Sequence, residues 1–307
     1  AAFETGKTPA TIGLVATLAV LALAVEVTSL VRRGETSRIP RALLGWGVLP
    51  MLPCLAAWAI AGRSVPSLVQ VAVAVLLVLP IIPLVARVAL QPIADASVLV
   101  LLIASLALHF LLSGLGLIFF GPEGMRTAPL VGGGITVAGF AVSAQVLLMV
   151  GASVALSALF FLAFERTVAG KALRATAVNR LGARLMGIST TGAGKLSFGL
   201  AAFIGALSGL LIGPTTTVFY DSGFLIGLKG FVAAIFGGLA SYPAAAVGAL
   251  MVGILESFSS FYASAFKEVI VFTVVIPVLA WLSIKHGHDD EAQERRHAVC
   301  GRRGPHR

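Results

Sequence analysis

Charge is the scarcest thing in this sequence. Only 11% of its 307 residues are Asp, Glu, Lys or Arg, against about 25% in ordinary soluble domains, and 58% are hydrophobic. With a mean hydropathy of +1.00, the chain reads as a polytopic membrane protein. Cysteine is nearly absent. Cys54 lies in an apolar run and Cys300 in a polar tail, which excludes a disulfide framework and a cysteine-based metal site. Acids are fewer than bases, 13 against 22, for a net charge of +9. Such an excess can signal nucleic-acid binding, but its distribution speaks for membrane topology instead. Arg32–Arg41 carries +3, Glu165–Lys195 carries +5 and the tail from Lys285 carries +2, whereas Gly121–Phe140 sums to zero. Short loops rich in Lys and Arg stay on the cytoplasmic side, so these three stretches are expected inside. The chain has no signal-peptide n-region and opens on Ala1 rather than Met, which we read as missing N-terminal sequence.

Apolar segments are abundant. They run over Ala10–Val31, Ala42–Ala61, Val65–Ala86, Ser97–Phe120, Val142–Phe164, Ala193–Gly213, Ser222–Leu239, Pro243–Phe261 and Lys267–Ile284. Most reach the ~20 residues that a bilayer requires. The expected fold is therefore all-α, a polytopic transmembrane helical bundle of about eight to nine membrane segments. It occupies residues 1–285 and is followed by a disordered cytoplasmic tail over 286–307. Trp46 and Trp58 sit where interfacial anchors belong, Pro80 and Pro83 should bend the third segment, and Glu26 can reach the interface. Arg63 falls on the outer side against the charge rule. GGGITVAG, within the Gly- and Pro-rich outer loop Gly121–Gly139, is a candidate hairpin. Gly205, Gly209 and Gly213 form two overlapping GxxxG steps, a face that a neighbouring helix can approach closely.

The longest polar interruption, ERTVAGKALRATAVNRLGARLMGISTTGAGK from Glu165 to Lys195, carries six bases and one acid. Leu173, Ala177, Leu181 and Leu185 recur every four residues, which predicts one amphipathic helix with an apolar stripe. Gly187 supplies its stop. Two buried charges, Lys229 and Glu256, fall in the antiparallel segments joined by Ala240–Ser241–Tyr242. Counted from that turn they lie at similar depth, so they are candidates to pair near a solute path. The other polar motifs lead nowhere. GISTTGAGK lacks the glycine spacing and the Ser or Thr after Lys195 that a phosphate loop needs, so ATP hydrolysis by this chain is not expected. His286 and His288 lie in a solvated charged tail, His109 stands alone in an apolar span, and no catalytic triad, paired-carboxylate arrangement or metal set is visible.

Three runs carry a resemblance. GKALRATAVNRLGARLMGI, then GFLIGLKGFVAAIFGGLASYPAAAVGALMVGILES, then FKEVIVFTVVIPVL resemble the permease subunit of bacterial branched-chain amino acid ABC importers, over about Val98–Ile284. That family carries Glu-Ala-Ala, three residues, then Gly in its cytoplasmic loop. Ala183 and Gly187 keep the pattern, while Leu181 and Gly182 depart from it. Pro243–Ala244 stands where Pro-Gly is common. The resemblance implies a loop (Leu173, Arg174, Ala177, Leu181, Ala183, Arg184, Leu185, Gly187) that docks a separate ATPase. It also implies a second homologous permease, two cytoplasmic ATPase subunits that use ATP, a periplasmic solute-binding protein and residence in the bacterial inner membrane. No nucleic acid is implied, and no cofactor is bound by this chain. The alternative class is a secondary transporter driven by an ion gradient, which would show inverted repeats and broken helices at matching places.

Overall fold

Lipid offers the backbone no hydrogen bonds, so spanning segments close their own as helices. The computed structural model describes residues 10–32, 34–35, 37, 39–61, 66–93, 96–137, 139–236, 242–274, 276–277 and 280. Arg63, the expected turn at Ala240–Ser241, and the tail with His286, His288 and Cys300 lie outside the described residues. Helix α1 is Ala10–Arg32; α2 (Ile39–Ala42), a π-helical stretch Leu43–Val48 and α3 (Leu49–Ile60) form one continuous span. A second composite span follows, from α4 (Ser67–Val78) through α5 (Ile81–Val85) to a π-helical Ala86–Leu90. Pro80 falls at the junction of α4 and α5 and Pro83 in the first turn of α5, where the missing N–H donors interrupt the ladder. Then come α6 (Val98–Phe120), strands β1 (Gly134–Val137) and β2 (Phe140–Ser143), α7 (Ala144–Arg166), α8 (Val168–Val178), α9 (Arg180–Leu185) and α10 (Thr190–Ile212). The described chain ends with α11 (Ser222–Phe236), α12 (Tyr242–Tyr262) and α13 (Lys267–Thr273).

Among the described residues, seven helices are long and apolar enough to cross a membrane. The fold is thus the expected polytopic helical bundle. The expected segments Ser222–Leu239 and Lys267–Ile284 fall partly outside the described residues. The 15 described residues of α11 give about 22 Å at 1.5 Å per residue. In the segment expected from Lys267 to Ile284, regular helix is described for the seven residues of α13.

The chain forms two compact units, Ala1–Ala155 with Leu162–Asp221, and Leu156–Phe161 with Ser222–Arg307. In the first, α1 is the central post. Its buried Leu14, Val15, Leu18 and Ala22 pack with Cys54 of α3 and Leu84 of α5. Glu26 of α1 accepts hydrogen bonds from the guanidinium of Arg87, which also donates to Gln91 at 2.8 Å. Both side chains are four-fifths buried. Glu26 was expected to reach the interface; the structure makes it the partner of Arg87. Arg87 lies on a π-helical turn, a local widening often found where a side chain has a task.

At the far end of this unit the expected hairpin is present, with β1 and β2 antiparallel and Gly134 opposite Ser143. A side chain at Gly134 would meet the Val142 carbonyl at 2.6 Å, so glycine is required there. Met125 and Val218 exchange two backbone hydrogen bonds of 2.9 Å, and Arg126 donates to the Pro214 carbonyl just beyond α10. Gln145, 3% exposed, accepts from the Leu130 amide and donates to the Leu211 carbonyl, each at 3.1 Å. The connection after α6, the start of α7 and the end of α10 with its following connection are thereby tied together.

The second unit packs α11 against α12 closely enough that a Cβ at Gly248 would lie 2.4 Å from the Ala233 carbonyl. Val232, Ala233, Val252 and Val271 fill its core.

Removing one partner of a buried ion pair costs about 3–5 kcal/mol, largely because a lone charge is left behind. Arg87→Met should therefore lower the thermal unfolding midpoint in detergent more than the double change Arg87→Met with Glu26→Gln. Equal midpoints for the single and double variants would show that the pair carries no such weight.

Candidate functional site

The basic loop folds as an elbow of short helices, each started by its own polar cap. Thr167 Oγ1 accepts from the Gly170 amide at 3.0 Å, Asn179 Oδ1 from Gly182 at 2.9 Å and Ser189 Oγ from Gly192 at 3.1 Å. Such caps satisfy amides that would otherwise be orphaned at a helix start. Asn179 is in extended backbone conformation and ends α8 while capping α9. The single helix expected from the four-residue stripe is therefore broken in two, because a capping side chain at Asn179 outcompetes the continuation of the ladder. After α9, Ile188 donates to the Ala183 carbonyl and Gly187 to that of Arg184, with Gly187 at φ 78°. This is a Schellman stop, so the terminator read at Gly187 stands where expected.

The break redistributes the stripe. Leu173 and Ala183 are buried, while Ala177, Leu181 and Leu185 are exposed. Val178, at 88% exposure, and Met186, at 82%, join Leu181 (69%) and Leu185 (80%). Large apolar side chains on a strongly basic extramembrane loop form a surface that water does not favour. Val178 and Met186 were not singled out from the sequence; the signal was the uncapped continuation that the stripe assumed across Asn179.

The arginines of the loop hold the elbow to its flanking helices. Arg174 donates to the Phe164 carbonyl at 2.5 Å and pairs with Glu165 at 3.0 Å, and Arg184 Nε donates to Thr190 Oγ1 at 3.0 Å. Gly170 rests against the end of α7, where a Cβ would lie 2.5 Å from the Ala163 carbonyl. Of the glycine steps on α10, Gly213 is packed by Thr127, whereas a Cβ at Gly205 or Gly209 would meet open space. Ala202 and Ala206 are the buried small residues of that helix.

The charges expected to pair come together, half-buried, in the second unit. Lys229 Nζ on α11 lies 2.6 Å from Glu256 Oε1 on α12, and 3.0 Å from Glu268 Oε1 in the first turn of α13. The pairing expected from equal depth is present. Glu268 was missed, because it was read as the start of a final span; the tight reversal through Ser264–Phe266 turns it back onto Lys229. A lone charge in a spanning helix costs ~2.5–3.5 kcal/mol on insertion scales, and two carboxylates on one ammonium offset it. The Glu268 Oε2 atom is buried and has no hydrogen-bond partner among the described residues. Ionised throughout, the cluster carries a net charge of −1, and it holds no metal-binding group of three or more ligands.

Among the described residues, seven apolar helices long enough to span a bilayer, joined in part by a capped basic elbow, define a multi-pass membrane helical bundle. The chain belongs to the family of permease components of branched-chain amino acid transport systems, whose sequence model matches residues 9–279. Similar proteins include the high-affinity branched-chain amino acid transport system permease LivH of Escherichia coli K12, 40% identical over 112 residues. LivH of Salmonella typhimurium is 39% identical over 112 residues. BraD of Pseudomonas aeruginosa, a permease of the same description, is 34% identical over 117 residues. These matches cover 36% of the chain and of each LivH, and 38% of the chain and of BraD. The matched part thus spans little more than a third of the length of these relatives. No solved structure matches.

For the charge cluster the expected order is specific. Lys229→Met leaves two carboxylates facing one another and should reduce membrane-inserted, monodisperse protein several-fold. Adding Glu256→Gln and Glu268→Gln together should restore more of it than adding either alone. Additive losses across the series would mean that the three groups act independently.

Proposed function

We propose that this chain is the membrane-spanning permease subunit of an ATP-driven importer in the bacterial inner membrane, carrying branched-chain or related amino acids. A second homologous permease completes the translocation pathway. Two cytoplasmic ATPase subunits use the ATP, and a periplasmic solute-binding protein delivers the solute. The observation that carries this reading is the elbow of α8 and α9. Its exposed Val178, Leu181, Leu185 and Met186 form an apolar tip on a loop of charge +5. A basic amphipathic helix can also lie on the bilayer. Here two short helices are capped and pinned to α7 and α10 instead, which favours a rigid docking knob. Arg180 and Arg184 beside the tip would face an acidic rim on the ATPase. The Lys229–Glu256–Glu268 cluster is the candidate for polar groups near the solute path.

Two measurements test this. In a Cys300→Ser background, a membrane-impermeant thiol reagent should label cysteines at Ile135 and Thr216 in intact cells, and leave one at Val178 unlabelled. Labelling at Val178 would invert the topology. Separately, Leu181→Asp with Leu185→Asp should release the ATPase from the purified complex while the permease stays inserted. An intact complex that still transports would dismiss the docking assignment.

A further inference from the structure

A cavity of about 810 Å³ opens in the first unit between α3, α4, α5 and α10. It lies within the ~300–1,000 Å³ range typical of small-molecule pockets. Its wall is shaped by Pro50 and Pro53 on one span and Pro80 and Pro83 on the next. Proline cannot continue the ladder and deflects a helix, so four of them on facing segments keep the helices from closing. Every lining residue but one is uncharged. The exception is Lys195, on the second turn of α10, which is exposed and has no hydrogen-bond or ion-pair partner among the described residues. A second cavity of about 610 Å³, beside Cys54, Trp58 and Phe119, has no charged lining residue.

Position adds direction. Trp46 stands in the first half of its span, Pro80 at the middle and Pro83 in the second half of theirs, and Lys195 near the start of α10. Trp46, Pro83 and Lys195 belong to the membrane side on which Arg32–Arg41, Arg87 and the basic elbow gather. We propose that this cavity is a binding site for one anionic phospholipid of that leaflet. An acyl chain would lie along the proline-lined wall, Trp46 would sit at the headgroup boundary, and the lipid phosphate would take the Lys195 ammonium. Apolar wall, interfacial indole and single cation occur in the order that a phospholipid presents its parts. The inference concerns the lipid around the permease, not its solute, so its failure would leave the transport reading untouched.

The test uses the full chain in nanodiscs of phosphatidylcholine, doped with trace photoactivatable phosphatidylglycerol or photoactivatable phosphatidylcholine. Lipid adducts are mapped by mass spectrometry. The phosphatidylglycerol probe should label peptides spanning residues 45–56 or 76–84 in preference to the phosphatidylcholine probe. Lys195→Gln should lower that adduct about fivefold, the worth of one lysine near an anionic surface, and Lys195→Arg should retain it. Leu79→Trp, which fills the cavity, should lower labelling by both probes. Equal labelling by the two probes in the unaltered protein would overturn the site, and so would an adduct indifferent to Lys195→Gln. A disulfide forming between two copies through Leu52→Cys, with no lipid adduct, would assign the cavity to a second permease instead.

Discussion

Hydrocarbon cannot solvate a charge or a backbone amide, and the placement of nearly every polar group in the spans follows from that. The Lys229 ammonium is held by two carboxylates and the Arg87 guanidinium by Glu26 and Gln91. Hydroxyls obey the same constraint locally: Thr17, Ser153 and Ser208 each donate back to a carbonyl of their own helix. Gln145 shows the rule where spans meet water, bonding the Leu130 amide of the outer loop and the Leu211 carbonyl in the last turn of α10 while itself buried. The charged pairs and Gln145 therefore mark places where two elements are tied together, while the hydroxyls close on their own helix.

Much of this was legible in the sequence, for reasons that can be traced to individual residues. Long apolar runs give span positions directly, since length and hydropathy are properties of the segment alone. Gly187 and the hairpin at GGGITVAG were readable because glycine chemistry is local. The equal depth of Lys229 and Glu256 followed from counting along two helices joined by a short turn. What failed was anything set by competition or by return. The four-residue stripe ignored Asn179, whose carboxamide caps α9 and so places Leu173 inside and Leu181 outside. Glu268 escaped because a 3-10 turn folds α13 back, and hydropathy is blind to such a reversal. Glu26 and Arg87 lie 61 residues apart. Glu26 was read as reaching the interface by itself, and the shared depth of the two groups was the unused signal.

The elbow shows how local capping and long-range function connect. A loop of 31 residues between two spans has ample freedom to wander. Three caps, one Schellman stop and the bonds of Arg174 and Arg184 remove most of it. Gly170 brings α8 against the last turn of α7 at a distance that no larger residue permits. On the proposed reading, an ATPase that pushes on Leu181 and Leu185 meets a strut, not a tether. Force applied at the tip passes through Arg174 into the end of α7 and through Arg184 into the start of α10. A flexible loop would dissipate the displacement in its own dihedrals. A capped one must move its flanking spans as bodies, the kind of small rigid shift that packed helices convert into a change of state. The same polar residues that end and begin these helices would then set how ATP-driven motion enters the membrane. The tightness of Thr167, Asn179 and Ser189 would matter to coupling as much as the apolar side chains that touch the partner.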